Sequence, residues 1–271
     1  MDSYEPALPL AYESYGQGPP LLLLHGALVD RAYWQPQRAD FAARYRVIAC
    51  DLPGHGAAPP LSGPTSVAQL ARQVLATLTA LGLPRVTCVG HSLGGMVAQE
   101  LALLAPDRVA ALVLVDTWYH PPGEPYELFP FRTALMHWWL RATSVADLVG
   151  LMARGLARFN PSITPYALRV MERYTAERSS YLHIWDAAMD FSSRDRLHRI
   201  TCPTLVVASD RFPFTRYQAE IMRHRLPDAD LAVIARSGHW VNWDNPADFN
   251  QVVLEFIATR GSTRSVDEPQ P

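Results

Sequence analysis

The stretch "VGHSLGGMVAQE", residues 89–100, sets a serine in a glycine-rich bend, directly after the apolar run "RVTCV" and directly before an apolar-periodic segment. A strand-to-helix turn of the form Gly90-His91-Ser92-Leu93-Gly94 forces the serine into a strained backbone, and the small residues at 90 and 94 let strand and helix approach. The Ser92 Oγ then projects from the end of a sheet, with the Leu93 N–H pointing into the same space. A serine hydroxyl alone is a poor nucleophile and needs a base. His239, in "RSGHWVNWDNP", is the candidate, because a neutral imidazole can take the serine proton near pH 7. The plainer reading is a structural turn. Against it stands the company the serine keeps: His25, Asp51, Asp116, Asp210 and His239 also follow apolar runs. His25 and His91 flank the site and are expected to hydrogen-bond backbone, and His55 to brace a loop. His120, His137, His183, His198 and His224 read as surface or lid residues.

These residues need a scaffold that brings strand ends together. Short, unalternating, β-branched runs at 21–24, 46–50, 85–89, 110–115, 204–208 and 230–235 fit strands buried on both faces of a parallel sheet. Helical patterns lie between or after them at 66–82, 95–106 and 246–261, the last opening on Pro and closing on Gly. Strand–helix alternation predicts an α/β fold, a mostly parallel doubly wound sheet with crossovers on both faces. In such sheets ligands sit outside the carboxyl ends of the strands, where the polar residues above are placed. Residues 1–117 and 196–260 are expected to form this core. Residues 118–195 have helical texture, no strand-like run and many aromatics, and are expected as a helical insertion over the sheet; residues 261–271 are a polar tail.

Composition narrows the partners. The chain has 271 residues, 49% hydrophobic and 18% charged, with a formal net charge of -2, which argues against nucleic acid or an anionic membrane surface as a partner. All 24 basic residues are Arg, and they are scattered. The three cysteines show no metal spacing, the N-terminus shows no signal peptide, and no apolar run approaches a membrane span, so a reducing cytoplasmic setting is expected. No metal or cofactor is expected. The expected partner is a small-molecule substrate, with the chain a monomer or homodimer.

The motifs "LLLLHGALVDRAYW", "RVIACDLPGHG", "VGHSLGGMVAQELALLAPDRV" and "SGHWVNWDNPADFNQVVLEFI" together resemble the α/β-hydrolases in order and spacing over nearly the whole chain. The insertion at 118–195 matches the family's cap in position. The resemblance implies that the Ala27 N–H joins that of Leu93 in an oxyanion hole, where losing one donor costs about 10²- to 10³-fold in rate. It also exposes a departure. The usual acid position after the strand at 204–208 is Phe212, with Asp210 two residues earlier. Asp116, in "LVLVDTWYHPP", occupies a second position that some family members use, and it is preferred here, with Asp210 the alternative. Either carboxylate could orient the imidazole. Trp34, Trp118, Trp138, Trp185, Phe212 and Trp240 are expected to line an apolar pocket. The leading expectation is a serine hydrolase of carboxylic esters or lactones. The alternatives within the family are a C–C bond or enol-lactone hydrolase, and a cofactor-free oxygenase of heteroaromatics. The oxygenases tend to carry a histidine just after the serine, where this chain has Leu93. A triad-bearing receptor without turnover is a third possibility.

Overall fold

The computed structural model describes residues 9–121 and 160–261, together with residues 138, 141–144, 146, 147, 150, 151, 154, 155 and 158. The tail beyond 261 and the aromatics Tyr126, Phe129, Phe131, Trp139 and Phe159 lie outside the described residues.

Seven strands form one sheet: β1 (Tyr12–Tyr15), β2 (Pro20–Leu24), β3 (Arg46–Cys50), β4 (Val86–His91), β5 (Val109–Val115), β6 (Thr204–Ser209) and β7 (Ala229–Ile234). Their order is β1-β3-β2-β4-β5-β6-β7, with β1 antiparallel to β3 and every other pair parallel. The chain first runs from β2 outward to β3, then crosses back to β4 on the other side of β2. That reversal puts a topological switch point at the carboxyl ends of β2 and β4, the place where open sheets bind ligands. Leu21–Leu24 and all seven residues of β5 are buried, as a strand covered on both faces requires.

Right-handed crossovers fix which face each helix covers. The helices α1 (Arg38–Ala42), α2 (Val67–Ala80) and α3 (Leu93–Leu104) connect the strands up to β5; α2 packs on α3. Between β5 and β6 lie α4 (Thr164–Ala176) and α5 (Arg178–Met189). After β6 come α6 (Pro213–Arg225), α7 (Val241–Asp244) and α8 (Pro246–Phe256), and α8 packs on α1. α2 starts where Ser66 accepts the Gln69 N–H, and α8 where Asn245 accepts that of Asp248.

Several expectations need correction. The helix read at 95–106 begins at Leu93, because no residue separates the serine turn from it. β1 and α6 were not foreseen. β1 is a polar edge strand, and α6 buries only Thr215, Gln218, Ala219 and Met222, a stripe half polar and therefore nearly silent as apolar periodicity. β7 is not buried on both faces: as the last strand in the order it keeps one buried residue, Ile234.

The helices α4 and α5 rest on the core through specific bonds. Tyr166 Oη donates to Asp30 Oδ1 at 2.9 Å, the Leu61 N–H donates to Ser180 Oγ at 2.9 Å, and the Arg173 guanidinium donates to the Ala58 carbonyl at 2.8 Å.

Candidate active site

Ser92 joins β4 to α3 with φ 50° and ψ −116°. Among the described residues, the non-glycine positions with positive φ are Leu28, Ser92, Asp116 and Arg236. They fall after β2, β4, β5 and β7, all at the carboxyl edge of the sheet. Each such conformation costs on the order of 1–3 kcal/mol and persists only where its surroundings enforce it. At Ser92 the enforcement is visible. Its N–H donates to the Val115 carbonyl at 2.9 Å, and its carbonyl accepts from Thr117 Oγ1 at 2.7 Å. A Cβ on Gly94 would sit 2.2 Å from the Leu24 carbonyl oxygen, and one on Gly90 would sit 2.3 Å from the Gly94 carbonyl oxygen. Only glycine permits that approach.

The loop after β2 lies against the same turn. A Cβ built on Gly26 would be 3.3 Å from Ser92 Cβ, so the His25–Leu28 segment passes directly over the serine. Ala27 follows Gly26 in that segment, and Leu93 opens α3, where a helix leaves its first N–H groups without internal partners. Behind them, His25 Nε2 accepts the Leu52 N–H at 3.0 Å, so its Nδ1 carries the proton and donates to the Gly26 carbonyl at 2.7 Å. Asp51 accepts from the Arg31 and Ala57 N–H groups and pairs with the Arg31 guanidinium, which binds two loops together.

His239 stands 147 positions beyond Ser92 in the loop between β7 and α7. That loop is pinned on both sides of the residue. His91 Nε2 lies 2.8 Å from the His239 carbonyl, and since a carbonyl only accepts, Nε2 carries the hydrogen. The Gly238 N–H donates to Asp244 Oδ2 at 2.8 Å. The Phe212 ring lies 5.0 Å from that of His239. His239 Nδ1 is buried with no hydrogen-bond partner. Burial disfavours the imidazolium and pushes the pKa of His239 down to about 4.

The two carboxylates are in opposite situations. Asp116 is buried. Its Oδ1 accepts from the Ser209 N–H at 3.0 Å, Ser209 Oγ at 3.2 Å and Thr215 Oγ1 at 2.8 Å, while Oδ2 is buried and has no hydrogen-bond partner. Burial drives its pKa up to about 7 against the downward pull of those hydrogen bonds. Asp210 is exposed, and both its oxygens are occupied: Oδ1 by the Ser237 N–H and Oδ2 by the Arg236 N–H, each at 2.9 Å. It closes the turn after β7. Asp116 alone of the two is buried with an oxygen to spare.

The aromatic residues divide. Phe212 is beside His239, and Trp240 is buried between Tyr33 and Tyr166, with ring centroids 5.2 and 6.1 Å away. Trp118 packs on Phe214, and Trp185 is half-buried against the core. Trp34 is a core residue packed between Tyr33 and Phe249, and Trp138 is 64% exposed and faces solvent. Three residues at the site escaped sequence reasoning. Ser209 and Thr215 hold Asp116; Tyr33, buried, stacks on His91 at 4.8 Å. No motif marks a hydroxyl that serves a carboxylate 93 or 99 positions away. Among the described residues no group of three or more His, Cys, Asp or Glu side chains is arranged to hold a metal ion, and no helix is long and apolar enough to cross a membrane.

A family model described as "alpha/beta hydrolase fold" matches residues 19–246. A relative from Variovorax paradoxus named "Putative carbamate hydrolase RutD" is 35% identical over 260 residues, covering 93% of this chain and 97% of its own. The solved structure of a thermophilic esterase from Thermogutta terrifontis is 26% identical with a TM-score of 0.78, covering 93% of this chain and 94% of its own. The structure of Est816, described as an N-acyl homoserine lactone degrading enzyme, is 29% identical with a TM-score of 0.70, covering 91% of this chain and 96% of its own.

Proposed function

The chain belongs to the α/β-hydrolase fold family, and from that premise we propose that it is a serine hydrolase acting on a carboxylic ester or lactone of an apolar or aromatic small molecule. Ser92 Oγ attacks the acyl carbonyl while His239 Nε2 takes its proton. Asp116 Oδ2 and His239 Nδ1, each buried with no hydrogen-bond partner, close on one another in the reacting complex, where the carboxylate orients the ring and stabilises the imidazolium that forms. The Ala27 and Leu93 N–H groups hold the oxyanion of the tetrahedral intermediate. The imidazolium then protonates the leaving alkoxide, and water attacks the acyl-enzyme by the reverse sequence. No cofactor takes part. The segment 118–195 is a cap, through its helices α4 and α5, and contributes Trp118 and Trp185 to the pocket, with Phe212 and Trp240 from the core. The three unpaired thiols of Cys50, Cys88 and Cys202 suit a reducing, cytoplasmic setting.

The observation that carries this reading is the strained Ser92 at the switch point of the sheet, with φ 50°. Backbone strain at a lone serine is hard to account for unless the hydroxyl must stand clear of the sheet. The relatives named as carbamate hydrolases favour a second acyl class for the same machinery, since attack on a carbamoyl carbonyl passes through the same tetrahedral geometry. Treatment with a fluorophosphonate, followed by intact mass and peptide mapping, tests the nucleophile: one adduct on Ser92 is expected, lost in Ser92→Ala. A protein that takes no adduct overturns the reading. A panel of p-nitrophenyl esters of increasing chain length, an N-acyl homoserine lactone and an aryl carbamate then separates the substrate classes by kcat/KM.

A further inference from the structure

We propose that His91 is a positioning residue for His239, acting through the backbone carbonyl of that residue. The inference rests on the serine-hydrolase reading above. Three segments converge on the His91 imidazole. By its own chain it is the residue before Ser92, at the end of β4. Its Nε2–H donates to the His239 carbonyl at 2.8 Å. Its Nδ1 faces the loop that carries Ala27, where a Cβ built on Gly26 would come within 2.7 Å of it. The nucleophile turn, the base loop and the oxyanion loop are therefore built against one buried ring.

The ring is itself held. It stacks on Tyr33 with centroids 4.8 Å apart and planes at 27°, and it lies 4.8 Å from the His239 ring. Tyr33 in turn is tied to the segment after His239: its carbonyl accepts from Trp243 Nε1 at 2.7 Å, and its ring meets Trp240 edge-on at 5.2 Å. Beneath, Gln37 Nε2 donates to the Asn242 carbonyl at 2.9 Å and Asn242 Nδ2 donates back to Gln37 Oε1 at 2.9 Å. Burial keeps His91 neutral by lowering its pKa well below the ordinary imidazole value, which leaves one hydrogen, and the His239 carbonyl claims it.

A core histidine that merely fills space would contribute through its ring. A positioning residue contributes through the Nε2–H, because that bond sets the peptide plane after His239 and so the direction in which its imidazole leaves the backbone. Displacing a reacting group by about 1 Å costs on the order of 10²-fold. The two roles separate by substitution. His91→Phe keeps a ring on Tyr33 and removes the donor. His91→Gln removes the ring and keeps an N–H at about the reach of Nε2.

The test measures kcat, KM, fluorophosphonate labelling rate and Tm for wild type and both variants, on the p-nitrophenyl ester that wild type turns over fastest. His91→Phe is expected to lower kcat and labelling rate by about 10²-fold with KM within about two-fold, and His91→Gln to recover kcat to within about five-fold of wild type. A folded His91→Phe with wild-type kcat overturns the proposal. So does an equal loss in Phe and Gln, and so does a rise in KM alone. If His91→Phe fails to fold, His91→Leu replaces it as the donor-free arm under the same criteria. Wild type that takes no adduct overturns the serine-hydrolase reading and this inference together; wild type that does, with no Phe–Gln difference, overturns this inference alone.

Discussion

Thr215 Oγ1 lies 2.8 Å from Asp116 Oδ1, joining the first turn of α6 to the end of β5. Ser209 approaches the same oxygen with its N–H and its hydroxyl. One oxygen of the carboxylate is thereby saturated and the other left bare, a division of labour that an orienting acid needs. Removing the Thr215 hydroxyl while keeping its shape, Thr215→Val, takes away one of three donors. A loss of about 1 kcal/mol in stability is expected, with kcat/KM falling several-fold, read by chemical denaturation and ester hydrolysis.

The two candidate acids give opposite forecasts. Asp116→Asn should lower kcat/KM by about 10²- to 10⁴-fold, because the amide can no longer stabilise an imidazolium. Asp210→Asn should leave kcat/KM within about two-fold and cost a few degrees of Tm, since the carboxylate only receives the Arg236 and Ser237 N–H groups. If the activity losses fall the other way round, the acid is Asp210.

Burial opposes charge on both Asp116, raised to about 7, and His239, lowered to about 4. In the proposed triad the state that can accept the serine proton has a neutral imidazole beside an ionised carboxylate, which requires a pH above the Asp116 step. Activity should therefore rise as pH passes about 7. In Asp116→Asn the residual activity should instead keep its plateau down to the lone imidazole step near 4. The kcat/KM profiles of the two proteins check this; superimposable acid limbs would refute the pairing.

Stability should fall on acidification. His25, His55 and His91 are buried, His239 is partly buried, and all four have lowered pKa values, so unfolding at mildly acidic pH takes up protons. Their contribution is complete above the unfolded imidazole value of about 6.5 and is lost as pH falls toward the folded values, near 3 for His55 and 4 for His239. Asp116 works in the other direction, because its raised pKa makes the folded state bind the extra proton between about 4 and 7. Asp244, also raised by burial, acts in the same sense as Asp116, and four histidines outweigh two carboxyls. Tm measured from pH 8 to 4 should decline below about pH 6.5, and a flat curve would contradict it.

Gly94 and Gly63 separate close packing from composition. Alanine at 94 drives a Cβ to 2.2 Å from the Leu24 carbonyl oxygen, a rigid strand end, whereas nothing lies within 4 Å of a Cβ at 63. Gly94→Ala should cost at least about 2 kcal/mol or abolish folding. Gly63→Ala should leave Tm within about two degrees of wild type by differential scanning calorimetry.

Much of the molecule is written in local patterns. Four apolar residues at 21–24 are buried on a central strand wherever they meet a sheet, and glycines at 90 and 94 around a serine make a sharp turn because no side chain intervenes. Those patterns carried the fold class and pointed to the residues proposed as nucleophile and base. They could not carry β1 or α6, whose faces are largely polar, nor the fate of Trp34 and Trp138, which have the same side chain and opposite surroundings. They preferred Asp116 to Asp210 on loop position alone. Both follow an apolar run, and a carboxylate's role depends on what reaches its oxygens and whether water does. Backbone N–H groups from 236 and 237 fill Asp210 in solvent, while hydroxyls from 209 and 215 fill half of Asp116 in the interior. Those contacts span up to 99 positions and exist only once β5, β6 and α6 have assembled.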